Sequence, residues 1–351
     1  MRKFLGAMFE RMAAWLNKRC PQQEDLEKKE GIYPPSFLEE VPTVAHEAPS
    51  PKIKKTPENP SKKGKALVVS YVKNPARDLM EIMEVPFLAL SKNRKSPILY
   101  ESSDGTRKVK VTRHTGHFLA SIYDWDIILF VASKMQKILN DMSDIPPRSM
   151  IVPRHELLKS IHRRNGKKTD VDLEKTLSRL QLTGIETTIR NEDYRYKAGF
   201  GFLDSWRYTE RKEVKEIEIT LSQWLYDGIC AKGALLKVES EYFNLTSALK
   251  RFLYRTARKH VGTSNEPWEF SIEKLYEKSG SESEFRKFKT KLKAAVLDGG
   301  IPEYSLKWID RNGKSFVCFK NSTCQTIEEV CEEIEKLEKQ NKIKMLYDEN
   351  Q

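Results

Sequence analysis

The sequence predicts an α+β fold, because one order of helices and a β-hairpin occurs twice along the chain. In each copy a long apolar helix is followed by a short helix, a polar helix that ends at a glycine, and two alternating runs that form a hairpin. A repeated order fixes an architecture more firmly than any single element does. Helix, turn, helix and two-stranded wing is the order of a winged helix-turn-helix, so we expect two such domains in tandem. The predicted helices are 122–142, 155–164 and 170–183 in the first copy and 247–260, 272–279 and 282–298 in the second.

Composition divides the 351 residues into five predicted segments. They are an amphipathic basic helix at 1–20, a disordered Pro/Lys-rich linker at 21–77, the two winged-helix domains at 78–221 and 222–321, and a C-terminal helix at 322–351. The first helix is typical of a segment that docks on a partner or a membrane surface, but packing on its own protein explains it equally well. The heptad-like pattern of the last helix is too short for a firm coiled coil. Packing on the second domain is therefore favoured over a dimer zipper.

The basic helix of the second copy has predicted start and stop signals. Ser281 and Glu284 have the spacing of a capping box, which satisfies amide groups at a helix N-terminus. Gly299 and Gly300 predict its end. One face carries an apolar stripe and the other faces carry cations. The stripe is Phe285, Phe288, Leu292 and Val296, and the cations are Arg286, Lys287, Lys289, Lys291 and Lys293.

Alternating apolar and polar residues predict the strands. In the second copy, 304–309 and 315–319 flank Asn312-Gly313, a pair typical of a tight hairpin turn. In the first copy, Gly199-Phe200-Gly201 lies inside a strand pattern and is interpreted as a bulge, not as a nucleotide-binding loop. The strands predicted in and before the first copy are 85–90, 97–100, 108–111, 185–190, 196–208 and 214–221.

The charge balance favours a polyanionic partner. The formal net charge is +12 and the sequence pI is about 9.2, which suits nucleic acid or an anionic membrane surface. Five cysteines without a C-x-x-C pair argue against a disulfide framework and a zinc finger, and they fit a reducing cytoplasm. No run of about 18 apolar residues is present, so we expect no membrane span.

In a helix-turn-helix, the N-terminal residues of the second helix contact base edges, while lysines and arginines neutralise phosphates. This rule gives two sets of predicted DNA-binding residues. A plain solvated face is the alternative for the basic helix, and protein contact is the alternative for the first domain. The second-domain set is Ser281, Ser283, Arg286, Lys287, Lys289, Thr290, Lys291, Lys293, Arg311 and Lys314. The first-domain set is Lys167, Lys168, Thr169, Lys175, Arg179, Arg195 and Lys197.

Signals of catalysis are weak, so we expect neither an enzyme nor a cofactor. His114 and His117 have a ligand-like spacing, but no Cys or acidic pair accompanies them, which argues against a metal site. Gly313-Lys314-Ser315 imitates the end of a phosphate-binding loop, but Trp308 stands where the motif needs a glycine. A nicking enzyme would need a metal cluster or an activated tyrosine, and the sequence signals neither.

Several ordered motifs resemble the replication initiator protein A family of bacterial plasmids. The resemblance covers roughly residues 85–320, and several motifs in register are more specific than one short motif. It leaves out the first helix, the linker and the C-terminal helix. The motifs are 199–206 (GFGFLDSW), 221–226 (LSQWLY), 242–245 (YFNL), 253–260 (LYRTARKH) and 271–281 (SIEKLYEKSGS).

This resemblance implies a function beyond what the composition indicates. Similar initiators have two winged-helix domains and bind repeated sites in double-stranded DNA at a plasmid origin. It also implies local opening of the duplex and recruitment of host replication proteins, such as a helicase or the host initiator. In related proteins a homodimer often represses its own gene. The alternative is a transcriptional regulator with the same folds and no role in replication.

Overall fold

The chain alternates short helices and strands in a computed structural model that describes residues 75–142, 145–190, 198–211 and 214–322. The helices are α1 Met80–Glu84, α2 Asp126–Met142, α3 Arg154–Ser160, α4 Lys167–Leu182, α5 Gln223–Cys230, α6 Ala248–His260, α7 Ile272–Ser279 and α8 Phe285–Leu297. The strands are β1 Ala76–Leu79, β2 Ile98–Glu101, β3 Lys108–Arg113, β4 Ser149–Pro153, β5 Thr183–Thr187, β6 Ala198–Phe200, β7 Leu203–Arg211, β8 Val214–Leu221, β9 Leu235–Val238, β10 Trp268–Ser271, β11 Tyr304–Arg311 and β12 Lys314–Asn321. A 3-10 helix spans Ser240–Asn244. We call residues 75–221 the first half and residues 222–322 the second half.

The two halves repeat one order of elements. In the first half, α2, β4, α3 and α4 precede the hairpin β7–β8, and the strand order of the sheet is β4-β8-β7. In the second half, α6, β10, α7 and α8 precede the hairpin β11–β12, and the strand order is β10-β12-β11. The repeat predicted from the sequence is therefore present, and the fold is α+β as predicted.

The first half carries an additional sheet of four antiparallel strands, in the order β2-β3-β5-β6. β5 and β6 lie between α4 and the hairpin β7–β8, where the second half has a short connection. The strands predicted at 97–100 and 108–111 correspond to β2 and β3. The strand predicted at 85–90 is wrong. This segment is a loop that buries Val85, Phe87 and Leu88, so its apolar run reflects burial alone.

The strand predicted at 196–208 is in fact two strands in different sheets. β6 pairs with β5, whereas β7 pairs with β8. Gly201 lies between them, and a Cβ atom there would come within 2.7 Å of the backbone carbonyl oxygen of Gln181. Only glycine allows so close an approach of two backbones. At Gly201 the chain crosses from one sheet to the other, so this residue is not a bulge within one strand.

Buried ion pairs join the halves. β1 of the first half pairs antiparallel with β9 of the second. The buried carboxylate of Asp78 in β1 accepts a hydrogen bond from Arg255 of α6 at 2.6 Å, and Asp126 of α2 binds Arg251 of α6 at 2.6 Å. All described residues belong to one compact unit, and the domain boundaries given above stay predictions.

Several predicted segments lie outside the described residues. They are the basic helix at 1–20, the linker up to residue 74 and the C-terminal helix from residue 323 onwards. Within the described part of the chain, no helix is long and apolar enough to cross a membrane.

Candidate nucleic-acid interface

The turn before α8 differs from its prediction. α7 ends at Ser279, Gly280 adopts a left-handed φ of +56°, and α8 begins at Phe285 with Glu284 as its N-cap residue. Glu284 makes no side-chain capping hydrogen bond, so the predicted capping box is wrong. Ser281 instead accepts a hydrogen bond from the amide of Ser283 at 3.2 Å.

These local hydrogen bonds explain the difference. Serine side chains that bind nearby amides stabilise turns in competition with helix. Ser279 Oγ also accepts from the amide of Ser281 at 3.2 Å, and the hydroxyl of Tyr276 donates to the carbonyl oxygen of Ser283 at 2.7 Å. Ser281 and Ser283 are therefore half-buried turn residues and not the first residues of the helix.

α8 packs one face on the core and presents cations on the others. Phe288, Leu292 and Val296 are buried, as the apolar stripe predicts, whereas Phe285 is 37 % exposed at the helix start. Thr290 donates its hydroxyl to the carbonyl oxygen of Arg286 at 3.1 Å, so it is exposed but bonded to its own helix. The exposed cations of α8 are Arg286, Lys287, Lys291 and Lys293, and Lys289 is half-buried.

Few acidic groups neutralise these cations. Lys287 forms an ion pair with Glu284 at 3.2 Å, which is solvent-exposed and therefore weak. Arg286, Lys289 and Lys291 form no ion pair with any carboxylate in the described residues. A helical face with this charge suits the phosphates of a nucleic acid, because binding then releases condensed counterions.

The hairpin β11–β12 lies beside α8 and continues the basic surface. Its turn has positive φ at Asn312 and Gly313, as the Asn-Gly pair predicts. Lys293 of α8 places its ammonium 5.3 Å from the ring centroid of Trp308 in β11. Lys314 is exposed at the tip, whereas Arg311 forms an ion pair with Glu269 of β10 at 2.6 Å. The structure therefore brings together the helix and hairpin residues of the second predicted set.

Asp310 also places a carboxylate within this basic surface. Asp310 accepts hydrogen bonds from Ser315 Oγ at 2.6 Å and from Trp308 Nε1 at 3.0 Å. These bonds hold the pKa of Asp310 below its ordinary value, with a smaller contribution from Lys293 and Lys289. Asp310 therefore stays ionised, and it connects Trp308 of β11, whose ring lies near Lys293 of α8, to Ser315 of β12.

In the first half, α4 begins at Lys167, three residues before its predicted start at residue 170. Thr169 donates its hydroxyl to the carbonyl oxygen of Arg164 at 2.9 Å, which closes the preceding turn. Lys167, Lys168 and Lys175 are exposed and form no ion pair within the described chain. Arg195 and Lys197, also predicted to bind DNA, lie outside the described residues.

Arg179 has a structural partner. Its guanidinium donates two hydrogen bonds, at 2.9 and 2.6 Å, to the carboxylate of Asp124, which is 2 % exposed. Burial disfavours the charged arginine, but the hydrogen bonds and the charge of Asp124 outweigh burial and raise the pKa of Arg179 above its ordinary value. This pairing argues against the predicted phosphate contact. The sequence could not reveal it, because the two residues are far apart along the chain.

Two of the exposed cations that were not predicted lie beside the predicted sets. Arg164 lies in the turn before α4, and Lys307 lies on β11. The run 163–168, with four cations in RRNGKK, was a usable signal for Arg164. Nothing in the sequence distinguishes Lys307 from other lysines of the hairpin.

The two histidines with ligand-like spacing do not form part of a metal-binding cluster in the described residues. The rings of His114 and His117 are 6.1 Å apart, centroid to centroid. No group of three or more metal-ligating side chains occurs among the residues that the structure describes.

Comparison with known proteins identifies the family. The model of the family described as replication initiator protein A matches residues 77–306. The chain belongs to this family. The match ends within β11, so α4 and α8 lie inside it and the hairpin tip with Arg311 and Lys314 lies beyond it.

A sequence relative agrees with the family match, and a solved structure has a similar fold. A protein of Wigglesworthia glossinidia brevipalpis that is named "Putative replication protein" is 32% identical over 231 residues, which are 64% of this chain and 82% of the relative. The fold is similar to that of domains 2 and 3 of RctB, with a TM-score of 0.52 and 13% identity over 69% of this chain and 98% of that one. Family membership supports a role in the initiation of replication.

The motifs that carry this family resemblance lie mainly in the core. In 253–260, Leu253 and Tyr254 are buried, and Arg255 binds Asp78 of the first half. Phe202 of another motif packs edge-to-face on Trp125, with ring centroids 5.1 Å apart. The motifs therefore identify the fold and not the binding surface. The candidate nucleic-acid interface is located by the exposed cations of α8.

Proposed function

We propose that this replication initiator binds repeated sites in double-stranded DNA at a plasmid origin. The observation that carries the proposal is the face of α8, which presents Arg286, Lys287, Lys291 and Lys293 beside a hairpin with Lys314 at its tip. The repeated order of elements supports two winged-helix domains, in which α8 enters the major groove and the hairpin contacts the flanking backbone.

Different side chains have different roles in this proposal. Arg286 lies in the first turn of α8 and donates two hydrogen bonds to a guanine edge. Lys289, Lys291 and Lys293 neutralise phosphates, as does Lys314 at the hairpin tip. In the first half, Lys167, Lys168 and Lys175 contact phosphates with less base recognition, because α4 also carries acidic residues.

Binding at the origin then leads to replication without catalysis by this chain. We propose that it helps to open the duplex and recruits host replication proteins in the bacterial cytoplasm, and that it needs no cofactor. Binding near the promoter of its own gene would also repress that gene. The family match supports the replication role.

A plasmid-maintenance experiment tests this function. The DNA that flanks the gene is cloned into a plasmid without another origin, and the protein is supplied from elsewhere in the cell. We expect stable maintenance with the unmodified protein and loss of the plasmid with Arg286→Ala. No maintenance, in cells where the protein still represses its own promoter, would indicate a transcriptional regulator and contradict the proposal.

A further inference from the structure

A short loop of the first half lies against the turn that precedes α8. We call residues 91–96 the bridging loop. Lys92 and Lys95 are exposed, whereas the side chain of Arg94 between them is only 8% exposed. The loop therefore points one cation into the protein and two cations outwards.

Arg94 holds the bridging loop in place. Its guanidinium donates to the carbonyl oxygen of Gly280 in the second half, and to those of Pro97 at 2.9 Å and Ser96 at 3.0 Å. The amide of Leu119 donates to the carbonyl oxygen of Arg94 at 3.0 Å. Because both ends of this residue are bonded, Lys92 and Lys95 project from a fixed backbone, and less conformational entropy is lost when they bind a ligand.

Residues of the bridging loop line two clefts. One, of about 440 Å³, is lined by Lys92 together with Arg164 and Thr169 at the start of α4. The other, of about 260 Å³, is lined by Arg94 together with the turn residue Ser283 and Lys291 of α8. The loop thus lies between the two helices that are predicted to contact DNA.

The outward cations have no acidic partners among the residues that the structure describes. Lys92, Lys95 and Arg164 form no ion pair in the described part of the chain. The ammonium of Lys92 lies 4.5 Å from the ring centroid of Tyr123, and that of Lys95 lies 5.6 Å from the ring centroid of Phe118. Aromatic rings orient these ammonium groups without neutralising their charge.

The carboxylates near the bridging loop are mostly paired. Asp124 binds Arg179, and Asp126 binds Arg251 and Arg163. Glu282 accepts from Ser96 Oγ at 3.0 Å and lies 4.0 Å from Arg94, whereas Asp172 lines the larger cleft from the exposed face of α4. The outer side of the loop is therefore a positive surface between α4 and α8.

We propose that Lys92 and Lys95 bind backbone phosphates of a DNA duplex, between the stretch contacted by α8 and the stretch contacted by the turn before α4. This inference rests on the proposed function, because it assumes that α8 lies on DNA. It adds a third contact to the two sets predicted from the sequence. Both halves then engage one continuous stretch of duplex.

The double variant Lys92→Gln/Lys95→Gln tests the inference. Its affinity for the specific duplex and for a random duplex is measured over a range of salt concentrations. The slope of log K against log salt is negative, and each lost phosphate contact reduces its magnitude by about 0.9. For two lost contacts we therefore expect the magnitude to fall by about 1.8 on both duplexes. The ratio of specific to random affinity should stay unchanged, because phosphate contacts carry no sequence information.

A control variant separates local contacts from net charge. Lys108→Gln/Lys232→Gln removes two other exposed lysines, on β3 and after α5, and should leave the slope unchanged. An unchanged slope in the bridging-loop variant, or an equal decrease in the control, would overturn the inference. If the unmodified protein bound both duplexes equally, the proposed function would fail, while the slopes on random DNA would still decide the role of the loop.

Discussion

Arg286 and Lys293 lie on the same exposed side of α8 but should affect DNA binding differently. Arg286→Ala should weaken binding to the specific site by about 1–3 kcal/mol, because a bidentate contact to guanine discriminates between bases. Lys293→Ala should weaken binding to all sequences alike, because the phosphate that we propose it contacts carries no sequence information. Titration of both variants with specific and random duplexes checks this difference. Equal losses on both duplexes for Arg286→Ala would refute its role in base recognition.

Arg179 should matter for stability and not for DNA binding. Arg179→Ala removes the charged partner of the buried Asp124 carboxylate and leaves it only the hydrogen bonds from Ser121, and breaking a buried ion pair costs about 3–5 kcal/mol. Urea unfolding measures this loss. The exposed Lys175→Ala on the same helix is the control, with an expected change within about 0.5 kcal/mol. If Arg179→Ala were fully stable and the salt dependence of its DNA binding were weaker, the result would instead support the phosphate contact predicted from the sequence.

Glu84 should make stability depend on pH. Burial opposes its charged form, but the contacts of Glu84 with His260, at 3.3 Å, and with Lys278, at 2.7 Å, outweigh burial and lower the pKa of Glu84 from 4.5 to about 2. Burial also lowers the pKa of Lys278, whose ammonium nevertheless donates to Glu84 Oε1 at 2.7 Å, which agrees with a charged pair.

The lowered pKa of Glu84 determines the direction in which the free energy of unfolding changes with pH. The unfolded chain takes up the proton first, so this stabilisation is complete above about pH 4.5 and is lost as the pH falls towards 2. Between pH 5 and 2, the Glu84→Gln variant should therefore lose about 2 kcal/mol less unfolding free energy than the unmodified protein. Urea unfolding at several pH values measures it, and parallel curves for variant and unmodified protein would contradict the assigned pairing.

At the scale of elements, the turn between α7 and α8 depends on contact with the first half. A Cβ atom at Gly280 would come within 2.7 Å of Cβ of Pro86, and the φ of Gly280 is +56°. Gly313 in the hairpin turn has a φ of +72° with nothing within 4 Å of its added Cβ. A side chain at either position would therefore strain the backbone, but only a side chain at Gly280 would also clash with a neighbouring residue.

The pair of alanine variants separates these effects. Gly313→Ala should cost about 1 kcal/mol of unfolding free energy through the positive φ alone. Gly280→Ala should cost a further 1–3 kcal/mol or so, because its methyl group meets Pro86 in a packed site. Urea unfolding of both variants checks the order. Equal costs would mean that the turn before α8 moves away from the first half easily.

Local patterns predicted some elements well. The stripe of α8 and the Asn312-Gly313 turn depend on residues that are close in sequence, so spacing was sufficient to locate them. The start of α8 is predicted three residues too early, because the serines of the preceding turn bind one another's amides. The split of the strand at Gly201 depends on Gln181 and on pairing with two different sheets, which spacing does not record.

At the scale of the whole molecule, distant pairs decide how the halves meet and which cations are free. Asp78 with Arg255 and Asp126 with Arg251 connect residues far apart in sequence, so the sequence alone gave no sign of them. The predicted DNA-binding set of the second half is largely exposed around α8 and its hairpin. In the first half, Arg179 binds Asp124, while Arg164 and the bridging loop supply cations that were not predicted.

Footprinting of the purified protein on the DNA that flanks its own gene, at two salt concentrations, tests the central claim most directly. We expect protection of regularly spaced direct repeats that persists at the higher salt concentration, with a spacing that shows whether both halves engage each site. Protection of a single inverted repeat over the promoter, or only diffuse protection that disappears with salt, would contradict recognition of an origin by this initiator.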